Sequence, residues 1–154
     1  NEIIGGTKDI SAGQYIDRIG VRLGMDFPAG KHMESMADSV TEHIKLPVNT
    51  DGAYMNFSGA ETKASRMAKS CDAAKLARGV LMSVGETLVK TVNHAIAENG
   101  LKDVLFVGGV ASNGIIRKLI TENINGRAHF ASREYSTDNA LGTALLAKRM
   151  AENK

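Results

Sequence analysis

Between Ser70 and Asn99 six aliphatic residues, Leu76, Val80, Val84, Leu88, Val92 and Ile96, recur at four-residue steps, and Gly100 closes the run. That spacing predicts one long helix with a single apolar face. Gly79 and Gly85 interrupt it, each costing about 1 kcal/mol relative to Ala, and read as points where a neighbour packs closely. The chain beyond it narrows the fold further. A strand at 103–107 runs into glycines, a helix follows from about Ser112 to Asn123, and a short strand occupies 127–131. A loop, "SREYSTDN", then leads to a final helix holding Leu141, Ala144, Leu145 and Ala147. Helix–strand–helix–strand–helix is the order of an α/β layered core with parallel strands.

The first third reads differently. Asp9 or Ser11 is placed to cap a helix carrying Ile16, Ile19 and Leu23, which Gly24 stops. "MDFPAGK" is a turn, and Met33, Met36, Ala37, Val40 and Ile44 then fall on one helical face, with Glu34, Asp38 and Glu42 turned outward. Lys45-Leu46-Pro47 ends that helix. Residues 1–47 are therefore expected to form a helical lobe appended to an α/β core at 48–154. Within that core, Asp51-Gly52 and the alternation from Tyr54 to Phe57 predict a strand or hairpin, and 61–69 is helix-compatible. No internal repeat is visible. The chain opens at Asn1 with "NEIIGGTKD", an apolar pair entering glycines, which reads as a cut inside a longer polypeptide.

Composition removes several function classes. The 154 residues are 43% hydrophobic and 23% charged, enough for a sizeable core. A net charge of +2 is too mild to argue for nucleic acid or membrane, and the absence of Trp speaks against a base-stacking surface. No apolar run approaches the ~18 residues of a spanning helix. Cys71 is the lone cysteine, so an intrachain disulfide is excluded, a reducing, cytoplasmic setting is the simpler reading, and a buried structural thiol is expected. The four histidines, His32, His43, His94 and His129, show no HxxxH or HExxH spacing, and each reads as surface or satisfied core.

The stretch "LFVGGVASNG" at 105–114 is the strongest candidate for a site. In open α/β sheets, ligands sit beyond the carboxyl ends of strands. Gly108 and Gly109 remove the Cβ atoms that would bar a flat or anionic ligand from the backbone, and Asn113 supplies a donor and an acceptor at the mouth of the next helix. The bland alternative is a plain tight turn with Ser112 as helix cap. The GxGxxG dinucleotide spacing is not met. In "YSTDNALG", Ser136, Thr137 and Asp138 precede the last helix. One cap explains one of them, while Asp138 could bind a divalent metal only with partners. Asp17 either pairs with a surface cation or reaches, with the Gly30 backbone, toward the crevice of Asn113. Ser58-Gly59 is a strand-end turn or a loop facing a phosphate, and serine hydrolysis is discounted because no GxSxG elbow is present.

Taken in order, these stretches resemble the carboxyl-terminal half of the TsaD/Gcp family, the threonylcarbamoyl-transferase proteins formerly called O-sialoglycoprotein endopeptidases. That family shows a DDAAGEAFDK-like helix, YPGG, FSFSGLKT, AGGVxAN and CTDNGAM. The counterparts here are "KDISAGQYIDR", "FPAG", "MNFSGAETK", "VGGVASN" and "STDNALG". The departures, with Lys8 in the family's acidic pair, Gln14 for its glutamate and Ala140 for the glycine of CTDNG, resemble a divergent paralogue.

The resemblance implies the second lobe of an actin/sugar-kinase/heat-shock-ATPase (ribonuclease H-like) α/β fold, with an inserted or appended helical subdomain and nucleotide bound between two lobes. By the same implication, Asp17, Gly30 and Asn113 hold an adenylate-bearing substrate, and an ATP- or AMP-type nucleotide is the cofactor. Asp138 gives one ligand to iron or zinc, whose remaining ligands would be a histidine pair in the other half. The implied activity is transfer of a threonylcarbamoyl group from its adenylate to a tRNA adenosine, with accessory protein subunits as further partners and no membrane. A catalytically degenerate scaffold or regulator is the rival reading.

Overall fold

The computed structural model describes residues 2–132 and 140–152. Its elements run β1 (Gly6–Thr7), α1 (Ala12–Arg22), α2 (Gly30–Asp38), β2 (Asn49–Asp51), β3 (Tyr54–Asn56), α3 (Ser58–Met67), α4 (Ala73–Asn99), β4 (Asp103–Phe106), α5 (Gly114–Asn123), β5 (Arg127–Phe130) and α6 (Ala140–Glu152). A single 3-10 turn, Val110–Ser112, stands between β4 and α5.

The long helix predicted from Ser70 is α4, and it begins where its cap allows. Asp72 takes the Lys75 N–H at 2.9 Å, and Gly100 ends the helix at φ +63°. Leu76, Val80, Leu81 and Val84 are fully buried along it. Both interrupting glycines are contact points. A Cβ on Gly79 would lie 2.3 Å from the Ile44 carbonyl oxygen, and one on Gly85 would lie 2.6 Å from Leu119 Cδ1. Ser83, Thr87 and Thr91 are buried on the same helix, and each hydroxyl donates to a carbonyl one turn back, at 2.9, 2.7 and 2.8 Å. The buried Tyr15 donates to Ser83 Oγ at 3.3 Å, the Ser83 proton being committed to Val80. Burial pushes the Tyr15 phenol up to about 12.

Strands β4 and β5 are parallel, as expected, with Asp103 opposite Arg127 and Phe106 opposite Phe130. Asp103 staples the start of this ladder, accepting two bonds from Arg127 at 2.7 Å and one from His129 at 2.8 Å. Those partners, Arg127 first, hold its carboxyl well below the usual carboxylate range. The second sheet has the order β1-β3-β2, with β1 parallel and β2 antiparallel to β3.

Three expectations change. The second helix stops at Asp38 instead of running to Ile44, because 39–48 leaves the helical path and crosses α4, where Ile44 N–H bonds the Lys75 carbonyl at 3.1 Å. A strand, β1, lies within the segment expected to be helical, and it pairs with β3 across the expected boundary at 47. One hydrophobic cluster takes Tyr15, Ile19 and Met33 together with Phe57, Leu81 and Ile116. Cys71 is half-buried at the edge of that cluster, and burial raises its thiol, against a nucleophilic role. No helix among the described residues is long and apolar enough to cross a membrane.

Candidate functional site

The carboxyl end of β4 delivers the chain into the glycine turn. Gly108 has φ +96°, a conformation L side chains rarely adopt, whereas Gly109 has ordinary right-handed values of −60° and −39°. Among the described residues no other group lies within 4 Å of where a Cβ would stand on Gly108, Gly109 or Gly30. In this they differ from Gly79 and Gly85.

After the 3-10 turn, Asn113 is the cap of α5, not Ser112. Its Oδ1 accepts the Ile116 N–H at 3.1 Å, and the residue is only 5% exposed. Ser112 instead turns its hydroxyl back to the Gly109 carbonyl at 2.6 Å and tightens the turn. The Asn113 Nδ2 donor makes no hydrogen bond among the described residues, and it reaches solvent, since the side-chain polar atom left buried and unpaired among them is Arg78 Nε. One end of the amide is committed to the helix, and the other is open to water or to a ligand.

Glu34, which helical position alone turns outward, reaches α5 instead, and its Oε1 accepts the Gly114 N–H at 2.7 Å. It stands one helical turn beyond Gly30, so the Gly30 loop and the Asn113 corner are tied through α2. A carboxylate at a helix N-terminus is favoured by the helix dipole, yet nothing local in the sequence identifies its partner, 80 positions away. The first turn of α1 approaches the same corner, a Cβ on Gly13 being 3.8 Å from Val110 Cγ2.

Asp17 is held differently from either sequence alternative. Its Oδ1 accepts the Ala29 N–H at 2.8 Å, fixing the start of α2 next to Gly30. It lines a surface pocket with Gln14, Arg18, Val21, Arg22, Phe27 and Glu61, and no residue of the glycine turn borders that pocket. Asp17 is thus linked to Asn113 indirectly, through α2 and Glu34.

The Ser58-Gly59 stretch opens α3, and Asp9 takes the place expected for a phosphate. Its two oxygens accept the Phe57 and Ser58 N–H groups, each at 2.9 Å. Burial is the largest influence on Asp9 and raises its carboxyl, but those two amides with further hydrogen bonds outweigh it and leave the carboxyl below its ordinary value. Ser11 caps α1, with Gln14 completing a reciprocal capping box. Arg117, also unassigned from sequence, donates to the carbonyls of Ala111 and Ala131, which follow the ends of β4 and β5.

Asp138 lies outside the described residues. Among the described residues no three His, Cys, Asp or Glu side chains come together in a way that could hold a metal ion. These residues alone do not compose a metal site, and no step is derived through one.

Comparison with known proteins agrees with this architecture. The crystal structure of T. kodakarensis HypF superimposes with a TM-score of 0.74 at 22% identity, over 93% of this chain and 20% of that one. The fold is α/β, of the actin/sugar-kinase/heat-shock-ATPase type. A tRNA N6-adenosine threonylcarbamoyltransferase of Thermus thermophilus is 33% identical over 151 residues, covering 96% of this chain and 46% of the relative. One from Methanothrix thermoacetophila is 30% identical, covering 89% and 43%. A probable bifunctional tRNA threonylcarbamoyladenosine biosynthesis protein of Thermoplasma acidophilum is 31% identical, covering 96% and 29%. The chain spans less than half the length of these curated relatives. The family model described as TsaD, tRNA N6-adenosine threonylcarbamoyltransferase, matches residues 1–145, and the chain belongs to that family.

Proposed function

We propose that this chain is the nucleotide-binding lobe of a cytoplasmic threonylcarbamoyltransferase, holding the adenylate part of the donor while the group is passed to a tRNA adenosine. Gly30, Gly108, Gly109 and Asn113 border the nucleotide, and Asp17 keeps the Gly30 loop in place through Ala29. Asp138 would give one carboxylate to a divalent metal, iron or zinc, and the remaining ligands would have to come from outside the described residues. A metal there would polarise the carbamoyl carbonyl. Transfer to tRNA, and any accessory subunits, belong to the whole protein.

The observation that carries the reading is the Asn113 amide. One of its ends caps α5, and the other is a donor that makes no hydrogen bond among the described residues, in the turn that also carries Gly108 and Gly109. Calorimetric titration of the chain with AMP tests it. Asn113→Asp keeps the capping oxygen, since Asn and Asp cap equally well, but replaces the donor by a negative charge. The melting temperature should stay within about 2 °C, while AMP affinity falls at least tenfold, about 1.4 kcal/mol. Unchanged AMP affinity in that variant would refute the assignment, and no AMP binding by the full two-lobe protein would favour a scaffold.

A further inference from the structure

Arg117 ends the first turn of α5, where a cation is disfavoured by the helix dipole. It is nevertheless half-buried and held at two of its nitrogens. Its Nε donates to the Ala111 carbonyl at 2.6 Å, and an Nη donates to the Ala131 carbonyl at 2.7 Å. Its guanidinium carbon lies 4.8 Å from the centroid of Phe130, whose ring stacks on Phe106 at 5.1 Å. Ala111 sits in the 3-10 turn between the glycines and Asn113. Ala131 is the first residue after β5, and its own N–H bonds the Phe106 carbonyl at 3.1 Å. One planar side chain therefore bridges the 3-10 turn after β4 and Ala131 after β5, at the carboxyl ends of two adjacent parallel strands. Only a guanidinium can do this, because its donors diverge in one fixed plane and its face stacks on an aromatic ring.

We propose that Arg117 is a positioning residue that couples the glycine–Asn113 loop to the chain at Ala131, just after β5, so that ligand held at the first is felt at the second. The functional side of this rests on the nucleotide reading above, while the coupling itself stands on the two hydrogen bonds. Helix stability alone would not place a cation in the first turn of α5.

Hydrogen exchange of the full chain tests it, with and without AMP, in the unsubstituted protein and in Arg117→Lys. Lysine keeps the charge and stem but cannot span both carbonyls. In the variant without nucleotide, the amides of Ser112, Asn113 and Ala131 should exchange about tenfold faster together, while those of Leu81 and Val84 in α4 are unmoved. AMP should protect Ala131 in the unsubstituted chain and not in Arg117→Lys, with AMP affinity reduced about tenfold. A general loss of stability would instead accelerate the α4 amides as well. Faster exchange at one loop only, at neither, or throughout α4 overturns the proposal. So does equal protection of Ala131 by AMP in both proteins. If the unsubstituted chain does not bind AMP and both loops still loosen together in the variant, the coupling stands and the nucleotide reading falls.

Discussion

Gly109→Ala separates stability from recognition because the two should move in opposite directions. The residue already occupies right-handed helical backbone, and among the described residues nothing lies within 4 Å of the position a Cβ would take. Adding that atom meets none of them and narrows the unfolded ensemble, which should stabilise by about 0.4–1 kcal/mol. In a chain of this size that raises the melting temperature by roughly 1–4 °C. The same methyl group would stand where a nucleotide is argued to approach the backbone. Intruding on a fitted contact costs about 1–3 kcal/mol, so AMP affinity should fall some five- to 150-fold. Gly108→Ala provides the contrast. Its φ of +96° strains any L side chain, costing about 1–3 kcal/mol, so stability and affinity should fall together. Thermal melts followed by calorimetric titration of AMP read both quantities. A Gly109→Ala protein that melts higher and binds AMP as before would refute the argument that this glycine is bare for the sake of a ligand.

The helix glycines make a second pair. Gly79→Ala should destabilise by about 1–3 kcal/mol in urea unfolding, since the blocking atom is the Ile44 carbonyl, tethered by the Ile44–Lys75 hydrogen bond. Gly85→Ala meets the rotatable end of Leu119 and should lie near neutral, the helical gain of about 1 kcal/mol offsetting the repacking. A stabilised Gly79→Ala would contradict the packing described. Acid sensitivity gives the last test. The Asp9 carboxyl is held below its ordinary value in the folded chain, so the unfolded chain binds more protons in acid. Its contribution is complete above the unfolded value of about 3.9 and disappears as pH falls through the lower folded value. Asp9→Asn should flatten the decline in stability below about pH 4 relative to the unsubstituted protein, and equal slopes in parallel melts would remove Asp9 from the cause.

The elements legible in the sequence are those whose partners are near in the chain. The four-residue steps through Leu76, Val80 and Val84 describe a real buried face, and Asp103–Phe106 and Arg127–Phe130 lie where apolar runs meet turn residues. Residues 39–48 depart from their pattern for a physical reason. Val40 and Ile44 fit a helical period, but Gly79 opens a notch on α4 that admits the Ile44 carbonyl, and that tertiary contact overrides a local pattern. Asp9 has the right chemistry for a cap but serves a different helix, since it holds α3, across 49 positions, while Ser11 serves α1. Gly108 and Gly109 are legible as a turn; that Gly108 alone of the two takes a left-handed φ is not. Glu34 and Arg117 leave no local signal, because each acts on backbone far from it in sequence or on a loop whose position only the fold defines.

The distribution of these acceptors limits how an anion can be held. In α5 the Gly114 N–H is taken by Glu34 and the Ile116 N–H by Asn113. At α2 the Ala29 N–H is taken by Asp17, and at α3 two amides are taken by Asp9. The helix N-termini here are largely satisfied by the chain's own oxygens, and Glu34 adds a negative charge at the mouth of α5. The amides that make a helix N-terminus an anion site are thus already occupied at these positions. If the proposed nucleotide binds at this corner, its phosphate would have to be met by backbone outside the helix ends, and Gly108 and Gly109 are the residues of the turn whose missing side chains would permit that approach.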